Sequence, residues 1–162
     1  MSNTTAELCR YLTHGVYVIG VSAQARENAF TAAWVMQVSF SPVMLAFSIN
    51  PAHYSYQLLK AGGVCTINVL EKSQLALATH FGSSAIPDKM TGHTWLHTPI
   101  GAPALAEALV YFDCQVSHSS PAGDHEIIVC HVHNAVWQHP GQTMLYSDTG
   151  DLDGSSKLYP TT

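Results

Sequence analysis

Two β-rich runs, Ala108 to His118 and Glu126 to Gln138, are joined by Ser119-Ser120-Pro121-Ala122-Gly123-Asp124, with His125 following. Those linking residues are turn formers, so the stretch reads as a long hairpin. A parallel pair needs a crossover of a dozen or more residues, usually helical, and this link has no room for one. The constraint is therefore antiparallel pairing, and most other connections are short as well. Val16 to Val21 reads as a strand, Gln24 to Asn28 as a turn, and Phe30 to Ser39 and Met44 to Ile49 as two further strands. Asn50-Pro51 ends the last of these, and Ser55 is placed to cap a helix over 56–61 that stops at Gly62-Gly63. Val64 to Leu70 reads as a strand, Ser73 to Phe81 as a short helix, residues 83–103 as loop, and Thr143 to Tyr146 as a last strand. A further short helix is expected within residues 3–14. Roughly six or seven strands and two or three short helices result. The expected fold is mainly β: an antiparallel barrel, Greek-key-like, with short helices over its openings.

The 162 residues fit one domain, 1–162, with about ten N-terminal and fifteen C-terminal residues peripheral. Charged residues are only 10% of the chain and hydrophobic residues 47%, against about 25% charged in an ordinary soluble protein. So much apolar surface suggests that some is covered by a second subunit. A net charge of −5 argues against nucleic-acid binding, which needs a basic surface. No apolar run approaches the ~20 residues of a membrane span. No secretory signal is visible at the N-terminus, so a cytoplasmic location and reduced thiols at Cys9, Cys65, Cys114 and Cys130 are expected. The Asn3-Thr4-Thr5 sequon lacks a secretory context, and the Asp151/Asp153/Gly154 run fails as a calcium loop because Thr149 and Pro160 stand at its key positions.

The chain has ten histidines. Cys130, His131 and His133, taken as one strand face, resemble part of a metal site, but no second cluster has ligand spacing and no metal is expected. There is no GxGxxG, no phosphate loop and no GxSxG elbow. What remains are small polar residues at strand ends and helix starts, namely Thr31, Ser48, Asn50, Ser55 and Asn68, with Lys89 in the long loop and His125 at the hairpin tip. Such a set suits a flat ligand with polar edges and a phosphate. A loop histidine can move a proton near neutral pH.

The order of these segments resembles the flavin reductase-like family of FMN-binding split barrels over roughly residues 12–147. The resemblance rests on Phe30-Thr31-Ala32-Ala33-Trp34-Val35 with Val38-Ser39-Phe40-Ser41-Pro42, on Leu45 to Pro51 with Ser55, on Gly63 to Leu70, on Ala78-Thr79-His80-Phe81-Gly82, on the Lys89-Met90 to Trp95 loop, and on Asp113-Cys114 with Gly123-Asp124-His125. It implies a split-barrel homodimer that binds FMN, with FAD as the alternative, and takes hydride from NAD(P)H. It implies flavin contacts at Thr31, Ala32, Ala33, Trp34, Ser48, Ile49, Asn50, Ser55, Asn68, Phe81 and Lys89, and a catalytic His125. It implies that reduced flavin passes to a monooxygenase or another acceptor. The alternatives are a flavin carrier that does not react with NAD(P)H and a metal or haem binder using His131 and His133. Val43 and Cys65 depart from the family pattern, which has proline and an aromatic there, and so does the tail after Tyr146.

Overall fold

The computed structural model describes residues 4–160. Asn3 of the sequon and the first residue of the expected N-terminal helix lie outside them. A seven-stranded antiparallel sheet dominates, in the order β2-β1-β5-β8-β9-β4-β3. Its strands are β1 (Tyr17–Ala23), β2 (Arg26–Ala32), β3 (Val35–Phe40), β4 (Val43–Ile49), β5 (Val64–Val69), β8 (Val110–Ala122) and β9 (His125–Trp137). The expected hairpin is present, but its strands run into the link until only Gly123 and Asp124 remain as turn. The single strand expected over 30–39 is two strands, broken at Ala33-Trp34. The sheet is thus open between its edges β2 and β3, which are adjacent in sequence.

One core still joins the two halves of the sheet. Ile19, Val21 and Phe30 from β1 and β2 pack in one cluster with Leu45, Phe47 and Ile49 from β4 and Ile128 from β9. The Phe30 and Phe47 rings lie 6.3 Å apart across it. Cys65, Cys114 and Cys130 are fully buried in the same cluster as free thiols. Adjacent strand residues point to opposite faces. Cys130 therefore points into this core while its neighbour His131 takes the other face with His133, and the Cys130/His131/His133 grouping does not form.

Helix α2 (Tyr54–Gly62) closes one end of this core with Leu58 and Leu59. Its N-cap is His53 rather than Ser55, because Pro51 ends β4 and the Asn50 side chain accepts from the Ala52 amide to start the turn. Gly63 ends the helix at φ 67°, a left-handed conformation that glycine adopts without steric cost. A second core lies on the outer side of β1 and β2. It holds Leu77, Ala78 and Phe81 of α3 (Leu75–Gly82), Leu105 and Met144. The segment expected as loop contains β6 (Trp95–His97) and β7 (Pro103–Leu105), a small hairpin laid over β1 and β5. The N-terminal helix is shorter than expected, α1 (Thr5–Cys9). Thr143 and Leu145 form isolated bridges to Glu71 and Gly15 instead of a strand. Arg10 pairs with Asp151 at 3.3 Å and ties the tail to the N-terminal segment.

Candidate active site

A cleft of about 490 Å³ opens where β3, β4 and the β8–β9 tip meet. Trp34, Val35, Met36 and Phe47 give it apolar walls, and Ser48, Asp124 and His125 supply polar groups. Thr13 and His14 reach it from the N-terminal segment, where the sequence offered no signal for them. Trp34 and His125 come from sites ninety residues apart in sequence, yet their ring centres are 5.1 Å apart. The Ser48 amide donates to the Trp34 carbonyl at 3.1 Å, which fixes the β2–β3 crossing against β4.

His125 is half-buried, and its Nδ1 lies 2.7 Å from Asp124 Oδ1. That hydrogen bond, and then the imidazole charge, hold the Asp124 carboxyl below its usual range. An ionised carboxylate only accepts, so Nδ1 carries a hydrogen in either charge state, and Nε2 has no hydrogen-bond partner among the described residues. This tautomer suits an imidazole that must receive or deliver one proton.

Thr31, Lys89 and Ser55 are not among the residues that line this cleft. Thr31 donates to the Ala78 carbonyl of α3 at 2.7 Å. Lys89 donates to the Phe81 carbonyl at 2.9 Å, at the negative end of that helix. Burial pushes the Lys89 ammonium down. Ser55 is buried and accepts from Asn28 at 2.9 Å. His53 caps α2. Its burial, the Lys89 charge and then the His125 charge all push its imidazole pKa down, so the neutral form is favoured there.

Other expected contacts have their side chains engaged inside the fold. Asn68 is fully buried beneath β7, with its amide donating to Val18 O and Thr66 Oγ1 and its Oδ1 accepting from Leu105 N. Both donors are used and the side chain does not reach the cleft. Ile49 and Phe81 point their side chains into the two cores, leaving only backbone for a ligand. Ala32 is buried in the first core as well, while Ala33 and Asn50 lie at the chain bends beside it.

Residues 9–153 match the family described as the flavin reductase like domain. The chain belongs to that family. A relative from Methylorubrum extorquens named FMN reductase (NADH) RutF is 31% identical over 138 residues, which cover 85% of this chain and 67% of the relative. A protein of the same name from Agrobacterium fabrum is 32% identical, over 72% of this chain and 68% of its own length. Among solved structures, the NADH:FAD oxidoreductase SgcE6 of Streptomyces globisporus superposes with a TM-score of 0.81 at 26% identity, covering 88% of this chain and 86% of its own. The flavin reductase of styrene monooxygenase from Pseudomonas putida shares the fold, with a TM-score of 0.80 at 20% identity over 90% of this chain and 94% of its own.

Proposed function

We propose that this flavin reductase-like protein binds FMN in the Trp34–Ser48–His125 cleft and reduces it with NADH. The apolar cleft with one oriented imidazole is the observation that carries the reading. Its walls suit a flat, largely apolar ring system, and the Lys89 ammonium, whose charge is felt at His53 on the α2 cap, suits a phosphate. Bound flavin supplies the hydride-accepting chemistry, so the protein needs no acid–base dyad of its own.

The chain's part is to bind and orient. Trp34 and Met36 flank the ring system, and the backbone at Ala32, Ala33, Ser48, Ile49 and Asn50 addresses its polar edge. Lys89 and His53, with the Ser55 region of α2, hold the phosphate. His125, kept in one tautomer by Asp124, orients the nicotinamide or exchanges a proton through Nε2. The preference for NADH over NADPH rests on the relatives' names.

We further propose a homodimer. Met36, Val38, Phe40 and Val43 are exposed around edge strand β3, with Phe40 at 89%. An unpaired edge carrying this much apolar surface is normally covered. Reduced flavin would then serve a partner monooxygenase, as the name of the styrene monooxygenase reductase says of that protein. The free, unbridged thiols fit a cytoplasmic site.

Anaerobic absorbance of the protein with FMN, before and after NADH or NADPH, tests the activity. Bleaching faster than in a protein-free control, and faster with NADH, is expected. Bound flavin that stays oxidised would make the protein a carrier instead.

A further inference from the structure

The β8–β9 tip that carries His125 is held to α2 by one polar cluster. Tyr56 Oη donates to Glu126 Oε2 at 2.5 Å, and Lys60 Nζ donates to Glu126 Oε1 at 3.0 Å. Lys60 also donates to Ser119 Oγ at 3.1 Å, so one ammonium bridges both strands of the hairpin. The same ammonium lies 5.7 Å from the centre of the Tyr56 ring. These contacts join residues 59 to 70 positions apart, so chain connectivity does not impose them. The Glu126 carboxyl falls to about 2 because Ser119, Tyr56 and Lys60 all hydrogen-bond its charged form.

Glu126 is the neighbour of His125 on β9. Strand alternation sends their side chains to opposite faces. His125 and Ile127 line the cleft, while Glu126 turns toward α2. Fixing Glu126 therefore fixes the strand twist from which the imidazole projects. The helix so tied is also the one whose cap is His53 and whose first turn holds Ser55. The clamp thus ties the strand that carries the imidazole to the middle of α2.

We propose that Glu126, with Tyr56 and Lys60, is a positioning residue for His125, acting through the strand backbone rather than on any ligand. This inference rests on the proposed role of His125 in the cleft. Reacting groups held slightly out of place can lose rate by as much as about 100-fold, so a looser tip should slow reduction without weakening flavin binding.

Two measurements test it. The first needs no flavin. In a Trp95→Phe/Trp137→Phe background, Trp34 is the one remaining indole. The part of its pH-dependent emission that disappears in His125→Ala reports the Trp34–His125 contact. Glu126→Gln and Tyr56→Phe are expected to remove at least about half of that amplitude, given a ring spacing of 5.1 Å. Full amplitude in both variants would overturn the proposal. The second is a double-mutant cycle on the anaerobic reduction rate at saturating NADH. Glu126→Gln should slow reduction roughly tenfold with FMN affinity unchanged, and should cost nothing further in the His125→Ala background. Equal losses in both backgrounds would mean a general structural role and would also overturn it. Tyr56→Phe removes one hydroxyl only, so it stands in if Glu126→Gln melts early. If the native protein fails to bleach flavin, the proposed function falls, and the emission titration still decides the clamp.

Discussion

Asn68→Ala separates a ligand contact from a structural tie. In the native fold the Asn68 amide bonds Val18 O at 2.8 Å and Thr66 Oγ1 at 2.9 Å, and its carbonyl takes the Leu105 amide at 2.8 Å. Removing it strands the Leu105 N–H in a fully buried position, a loss of about 1–3 kcal/mol. Thr66 keeps its bond to Pro103 O, so its share and that of Val18 O are nearer 0.5–1 kcal/mol each, as for ordinary neutral bonds. The total is about 3 kcal/mol. For a chain of this size each kcal/mol moves Tm by about 2–4 °C, so a drop of about 6–12 °C is expected. Thermal melting monitored by circular dichroism reads that drop, and quenching of FMN fluorescence reads affinity. The affinity should stay within about twofold, because Asn68 is fully buried and its side chain is held by Val18, Thr66 and Leu105. A normal Tm with FMN binding weakened more than about tenfold would refute the structural assignment and restore Asn68 to the flavin site.

The other expectations are briefer. His125→Ala should slow flavin reduction by NADH while flavin stays bound, and unchanged stopped-flow kinetics would remove His125 from the reaction. Lys89→Ala should weaken FMN by roughly tenfold, in line with a lost charge-assisted bond, and leave riboflavin unaffected; equal losses for both ligands would place Lys89 away from the phosphate. Glu126 has a folded pKa of about 2, below its ordinary 4.5. Its stabilisation is therefore complete above the ordinary value and lost as pH falls through the folded one. The urea midpoint of the native protein should exceed that of Glu126→Gln at pH 6 and converge with it toward pH 2, and a constant gap would contradict the assignment. Phe40→Glu should give a monomer by light scattering, whereas an unchanged dimer would place the interface elsewhere.

Local chemistry made much of the fold readable in advance. The β8–β9 hairpin, the end of α2 at Gly62-Gly63 and the stop at Asn50-Pro51 each depend on turn residues a few positions apart. Short connections also required antiparallel pairing throughout, as the seven-stranded sheet has. The break at Ala33-Trp34 was not readable, because Phe30 to Ser39 is β-rich without interruption and only the edge geometry of the open sheet divides it.

Within the site, the residue types of Ser48, Lys89 and His125 suited a flat, phosphate-bearing ligand, and the family resemblance added Trp34. Which of them share a cleft was decided in three dimensions. Asn68 has the residue type of a ligand contact, but β7 packs over it from 37 positions away and uses its hydrogen bonds. His53 reads as an ordinary turn residue until Lys89 and His125 are brought beside it. Glu126 reads as a solvated charge until α2 supplies Tyr56 and Lys60. The physical reason is range. Turns, caps and strand alternation act over a few residues, whereas burial and the pairing of polar groups depend on partners that only the folded chain brings within a few ångströms.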